Sequence, residues 1–256
     1  MLHSGETLLI KEPHIIDLQR RMEAVELLKL MKERYTYEEL HELTGLPITV
    51  LNRYVKGHVL PSRSRADELF KLFAEKLSLE EEVIRRIRFD EKGYFNNTTL
   101  ISDTLLLRLI AKKAAKSFSD KEVTVVLTAA VDGIPIAVHV ANFLDARLII
   151  AKREREVGVK RFVEENYVPS FSGVVMTLYI PQDALSHKDN VLIVDDVVRT
   201  GETQKALVSL TEKAGGKLVG VFFLISIGEA WIKRMRLPND CKLEILVRLP
   251  EPENIE

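Results

Sequence analysis

The sequence predicts an α/β domain, a mostly parallel sheet flanked by helices, preceded by a small all-α domain. Three observations carry this. Between residues 100 and 225, apolar β-branched runs alternate with stretches of helical spacing, as strands joined by crossover helices do. One run, Val191-Leu192-Ile193-Val194, ends on two adjacent carboxylates and a turn containing Thr and Gly; ligands of open α/β sheets bind at that carboxyl edge. Before Ser78 the spacing is helical almost throughout, apart from a short strand expected at Thr7–Ile10.

At 256 residues the chain has room for two domains of unequal size. The junction is expected near 78–92, which gives domains 1–85 and 86–256. Hydrophobic residues make up 46%, enough for a real core, and the net charge of −1 confines any nucleic-acid site to a local patch. The single cysteine, Cys241, rules out a disulfide framework and a cysteine-based metal site and fits a reducing compartment. There is no apolar run of about 18 residues, so no membrane span is expected. No secretory leader is expected either, and a cytoplasmic location follows.

In the N-terminal part, Ile15, Leu18, Met22, Val25, Leu28 and Met31 recur at helical spacing and predict a helix over 15–34. Thr36 and Glu39 have the spacing of a capping box for a second helix, with Leu40 and Leu43 inward and Gly45 at its end. Pro47 sits at the start of a third, Ile48 to about Lys56, with Leu51 and Tyr54 inside. A fourth is expected over 64–77. Helix, Gly turn, short helix is the helix-turn-helix arrangement. The outer face of the third helix would carry Thr49, Asn52, Arg53 and Lys56; Arg and Asn can read guanine and adenine bidentately. Arg63 and Arg65 follow, suited to backbone phosphates, and no Asp or Glu occurs from Leu43 to Ala66. A plain helical packing domain would account for the helices but not for the missing acids. The segment resembles the helix-turn-helix of Cro/repressor-like domains, including a Gly-x-x-x-Pro tail from Gly57 to Pro61. It departs at His41, where such motifs usually hold a small residue. The resemblance implies a double-stranded DNA operator as partner.

In the C-terminal part a helix follows the cap-like Ser78, and another is expected over 101–117, capped at Ser102 or Thr99. A strand at 123–127 leads through small residues into a helix ending near Phe143. The turn between them, Ala130-Val131-Asp132-Gly133, is of the kind that binds anions. After a strand at 147–151 the chain is expected to stay irregular to Ser172, with Lys152, Arg153, Arg155, Lys160 and Arg161. Such a long loop is functional or mobile, or else a solvated charged hairpin. Strands at 174–180 and 217–225 and an edge strand at 242–248 complete the pattern. Trp231 can stack on a base or pack in the core, and Ile227 and Glu229 lie where a base edge would be read.

The stretch from Val191 to Thr203 organises all of this. A helix expected over 202–214 begins at the turn Arg199-Thr200-Gly201-Glu202-Thr203, where unpaired N–H groups and the dipole suit a phosphate. Asp195 and Asp196 can accept hydrogen bonds from a vicinal diol. Phosphate below and diol above describes a ribose 5-phosphate. Apolar strand, two acids and Thr-Gly-x-Thr resemble the phosphoribosyl pyrophosphate (PRPP) signature of type I phosphoribosyltransferases. The resemblance implies that fold, ribose hydroxyls on Asp195 and Asp196, the 5-phosphate on residues 199–203, and pyrophosphate on the 130–133 turn. It further implies a flexible loop carrying the basic residues of 152–161, Mg2+ present only through bound PRPP, and a homodimer.

Two functions fit. With the helix-turn-helix, the chain resembles bacterial purine repressors and archaeal regulators with an orotate-phosphoribosyltransferase-like domain, which implies a transcription regulator sensing PRPP or a purine or pyrimidine nucleotide. The alternative is a working orotate or purine phosphoribosyltransferase. Arg199 stands where 6-oxopurine transferases have an Asp that can act as base. A guanidinium cannot serve that way, which argues against 6-oxopurine chemistry but leaves orotate and adenine chemistry open; together with the basic face of the third helix, the regulator is the expected reading.

Overall fold

The computed structural model describes residues 14–91, 95–169 and 173–251, and the chain divides into two compact units, Met1–Ser78 and Leu79–Glu256. The strand expected at Thr7–Ile10 lies outside the described residues.

The first unit holds four helices: α1 (His14–Lys32), α2 (Tyr37–Thr44), α3 (Ile48–Val55) and α4 (Arg63–Lys76). Its core is Ala24, Leu28 and Met31 of α1 against Leu40, Leu46, Leu51, Ala66, Leu69 and Phe73. The inward stripe of α1 departs from expectation in its first half. Ile15 and Met22 are 66% and 51% exposed, and the small Ala24 carries the stripe instead. The capping box is complete: Thr36 Oγ1 accepts from the Glu39 N–H, and Glu39 accepts from the Thr36 N–H. Gly45, at φ 67°, ends α2. Past α3, the His58 N–H donates to the Arg53 carbonyl and the Gly57 N–H to Tyr54, which satisfies the last carbonyls of the helix.

The second unit begins with α5 (Leu79–Arg86), a small hairpin of β1 (Arg88–Phe89) and β2 (Phe95–Asn96), α6 (Thr98–Ser102) and α7 (Thr104–Ser117). The helix expected over 101–117 is therefore two. Asp103 breaks it and caps α7 by accepting from the Leu106 N–H, in place of Ser102 or Thr99. Then come β3 (Val125–Ala129), α8 (Ile134–Leu144), β4 (Arg147–Ala151), β5 (Phe162–Tyr167), β6 (Met176–Pro181), β7 (Asn190–Val198), α9 (Glu202–Lys213), β8 (Lys217–Ile227), α10 (Ile232–Met235) and β9 (Lys242–Leu249).

Five strands form one parallel sheet in the order β4-β3-β7-β8-β9. β3 is buried along its whole length and β8 at all but its first residue, as helices on both faces require. β5 and β6 pair antiparallel as a separate arm. The stretch expected to be irregular up to Ser172 thus contains a strand; residues 170–172 lie outside the described ones. β7 also runs further than its apolar run, through both Asp195 and Asp196. The sheet order reverses between β3 and β7. A crevice opens at such a switch point, outside the carboxyl ends of the strands. No helix among the described residues is long and apolar enough to cross a membrane.

Candidate functional site

The switch point gathers the two acids and both candidate anion-binding turns. Asp195 and Asp196 are only 5% and 9% exposed. Asp195 accepts from Gln204 Nε2 at 2.7 Å, and Gln204 also donates to the Val197 carbonyl. Asp196 accepts from Asn97 Nδ2, and the Asp196 N–H donates to Asp195 Oδ1 at 3.1 Å. Burial pushes both carboxyls up. For Asp195 the neighbouring Asp196 charge adds to burial, and the Gln204 hydrogen bond opposes it. Asp196 is raised by burial to about 6, with the Asp195 hydrogen bond opposing and the Asp132 charge adding. A carboxyl pair poised to exchange a proton for a ligand is what a diol or cation site needs.

The β3–α8 turn closes directly on this pair. A Cβ on Gly133 would lie 2.3 Å from Asp195 Oδ1 and 2.5 Å from Thr128 Oγ1, so only glycine allows the approach. The Thr128 hydroxyl is fully buried and has no hydrogen-bond partner among the described residues. Ala130, Val131 and Asp132 line a cavity of about 490 Å³ together with Lys152, Arg153 and Glu154 from the end of β4. The β3–α8 turn and the start of the basic loop therefore share one cleft.

The rest of that loop goes elsewhere. Arg155 binds Glu164 at 2.5 Å and lies over the rings of Tyr179 and Phe162, which ties it to the β5–β6 arm. Lys160 and Arg161 line a different cleft, with Pro181, Gln182 and Asp183.

At the phosphate turn Gly201 has φ 80°, and α9 starts at Glu202 with its N–H groups toward the turn. A Cβ on Gly201 would be 3.0 Å from Cβ of Trp231. Two side chains of this turn are engaged away from it. Glu202 pairs with Arg234 at 2.6 Å, and Arg199 pairs with Glu251. The backbone N–H groups at the start of α9 and the threonines Thr200 and Thr203 remain the candidate anion-binding groups of this turn.

Trp231 is 1% exposed, edge-on to Phe223 at 6.1 Å, and donates to the Gly228 carbonyl. It packs in the core behind Gly201 and cannot stack on a base. Ile227 is buried in β8, and Glu229 is exposed on the turn that follows.

In the first unit Thr49, Arg53, Lys56 and Arg63 are exposed. Asn52 is half-buried and its Oδ1 accepts from the Tyr37 hydroxyl at 3.3 Å, while Arg65 is paired with Glu68 at 2.5 Å. His41, the residue that departs from the helix-turn-helix pattern, turns its ring outward and places Nδ1 2.8 Å from the Leu46 carbonyl across the turn.

Asn97 and Gln204 escape a reading of the sequence alone. Gln204 leaves a trace, as a polar residue on the buried stripe of α9 with Leu207, Leu210 and Thr211. Asn97 leaves none, because its partner is 99 residues away.

An acid pair at a switch point, beside a glycine turn and a helix start, is set in an α/β domain of the type I phosphoribosyltransferase fold. The chain belongs to the phosphoribosyl transferase domain family, whose model matches residues 68–246. It is similar to the purine biosynthesis transcriptional repressor PurR of Bacillus subtilis, 25% identical over 64% of this chain and 55% of that protein. The purine biosynthesis transcriptional activator PurR of Lactococcus lactis is 31% identical over 65% of this chain and 62% of that one. The chain thus spans little more than half the length of these regulators. A xanthine phosphoribosyltransferase of Streptococcus pyogenes is 32% identical over 59% of this chain and 79% of that enzyme. Among solved structures, adenine phosphoribosyltransferase from Rhodothermus marinus matches 67% of this chain and 98% of its own, with a TM-score of 0.58 and 27% identity.

Proposed function

We propose that the chain is a DNA-binding transcription regulator whose second unit senses PRPP or a purine or pyrimidine nucleotide. The observation that carries this is the buried Asp195–Asp196 pair at the end of β7, facing the Gly133 turn and followed by the Gly201 helix start. The ribose hydroxyls donate to the acids, the 5-phosphate takes the N–H groups at the start of α9, and the pyrophosphate takes the cleft between residues 130–133 and Lys152 and Arg153. The names of the regulator relatives support the same reading.

No cluster of three or more His, Cys, Asp or Glu among the described residues can hold a metal. The two acids fit Mg2+ only when ligand oxygens complete its shell, as that ion prefers. Bound there, Mg2+ would offset diphosphate charge.

The first unit would bind the operator through Thr49, Asn52 and Arg53 on α3 and Lys56 at its C-cap, with Arg63 at the start of α4. In a homodimer, two such units would meet half-sites about one helical turn apart. The arrangement suits a protein working in the cytoplasm.

A second reading, a working phosphoribosyltransferase, is favoured by the xanthine enzyme's likeness and by the intact acid pair. Turnover assays with PRPP and each of adenine, guanine, hypoxanthine, xanthine, uracil and orotate decide between them. PRPP binding without turnover is expected; robust product formation would replace the regulator with the enzyme. In parallel, Arg53→Ala is expected to abolish salt-dependent promoter binding while PRPP affinity stays unchanged.

A further inference from the structure

Beside the phosphate turn, at the carboxyl ends of β7 and β8, the protein already binds a carboxylate of its own. Arg199 directs Nε and Nη2 onto Oε1 of Glu251, at 2.7 Å and 2.5 Å. Glu251 follows the edge strand β9, 52 residues further along the chain. The second carboxylate oxygen rests against Gly228, where a Cβ would come within 2.6 Å of Glu251 Oε2. Gly228 itself is fixed by its N–H to the Leu249 carbonyl at 2.9 Å. These parts form a notch for a planar anion: a guanidinium that donates twice, and a glycine wall that leaves room for the second oxygen. The charge-assisted geometry is that of carboxylate recognition.

We infer that the Arg199–Gly228 notch is a binding site for the carboxylate of a ring-shaped ligand, and that Glu251 is its internal occupant in the ligand-free protein. The inference rests on the proposed reading of the acid pair, because a ring joined to a ribose held there would extend along the same rim, past Arg199. Glu251 is held at a half-exposed surface, with side chains 28% and 51% accessible for Arg199 and Glu251. An ion pair of that exposure is weak, so a ligand carboxylate can displace it. A neutral ring offers nothing to replace the ion pair and would leave Glu251 seated. The notch therefore discriminates by charge rather than by shape. The carboxylate of Glu251 tunes that discrimination by competing in the same molecule.

The test is a calorimetric titration of the full chain and of Glu251→Gln with three probes, orotate, uracil and ribose 5-phosphate, in magnesium-free buffer. Orotate and uracil differ by the ring carboxylate alone. Removing the competitor is expected to tighten orotate about two- to sixfold, the range set by the weakness of a half-exposed pair. Uracil and ribose 5-phosphate are expected to be unchanged. The orotate gain should shrink as salt is raised. An equal gain for ribose 5-phosphate would assign Arg199 to the sugar phosphate and overturn the inference. So would an unchanged orotate affinity, or no orotate binding by either protein. Arg199→Ala is expected to erase the preference for orotate over uracil. A separate PRPP titration of both proteins keeps the outcomes apart: loss of PRPP binding in both would sink the sensor reading, whereas the orotate comparison alone judges the notch.

Discussion

Replacing Asp196 by Asn is expected to stabilise the ligand-free protein near neutral pH. The two acids lie side by side, 5% and 9% exposed, and burial raises Asp196 to about 6 and Asp195 well above the usual carboxylate range. In the unfolded chain an Asp ionises at about 3.9. Between these two values the unfolded chain has released its proton and the folded chain still holds it. Stability from this group is therefore full in acid and falls as pH rises from about 4 to about 6. A difference of about two pH units corresponds to about 3 kcal/mol. That is a ceiling, because the acids titrate together. The Asp196→Asn amide would escape the penalty and could still accept from Asn97 through its remaining oxygen. We expect a gain of about 1–3 kcal/mol at pH 7.5 and under about 1 kcal/mol at pH 4.5. Urea unfolding followed by Trp231 fluorescence measures it. Trp231 is the sole tryptophan and is buried behind Gly201 in the second unit, so the signal reports that unit alone. The midpoint at pH 7.5 should rise by about 0.5–1.5 M. A midpoint lowered at pH 7.5 would mean that the neighbours stabilise the carboxylate more than burial opposes it, and would refute the reasoning.

Gly133→Ala places a Cβ 2.3 Å from Asp195 Oδ1 and should cost about 1–3 kcal/mol in the same assay. PRPP affinity should fall with it, and an unaffected midpoint would show that the turn can relax away. Gln204→Leu removes the side-chain donor that holds Asp195 and should cost about 1–3 kcal/mol at pH 7.5. The loss should be smaller in acid, because the Gln204 hydrogen bond favours the ionised form of Asp195; equal losses would point to packing instead. PRPP affinity should rise between pH 5 and pH 7 in the wild type because Asp196, raised to about 6, must give up its proton to accept from the ligand. Isothermal titration should show Asp196→Asn lacking that rise, and an identical pH profile in both proteins would assign it to the ligand's own phosphates.

Much of this was legible because its cause is local. The α2 capping box needs only Thr36 and Glu39, and the acid pair and helix start of the β7–α9 junction lie within nine residues, from Asp195 to Thr203. What escaped was set by distant partners or weak periodicity. β5, one strand of a two-stranded arm, is itself buried only at Tyr167, so its sequence shows no clean alternation. The sequence leaves Trp231 open to stacking on a base or packing in the core; Phe223 and Gly201 make it core. Arg199 reads as a phosphate ligand from its place in the signature, but its direction is decided by Glu251. The loop after β4 reads as one basic unit, yet Arg155 docks on Tyr179 and only Lys152 and Arg153 join the pyrophosphate turn.

The long-range contacts the sequence hides are also the ones through which the proposed sensor would signal. Asp196 is held by Asn97, which immediately precedes α6, and Asp103 at the far end of α6 is bound by Arg86 of α5 at 2.6 Å. The acid that an effector would engage is thus joined by two polar contacts to the first helix of its own unit, next along the chain from the helical unit. An effector can act only through a difference in its affinity for two states. Coupling free energies between sites typically amount to about 1–3 kcal/mol. The buried acid pair stores an amount of that order in the ligand-free state. A ligand that satisfies Asp196 releases it and at the same time competes with the Asn97 contact, so a single side chain connects occupancy of the site to the segment leading back toward α5. A purely catalytic site would gain nothing from tying its acid to the helices that open the second unit; a sensor would.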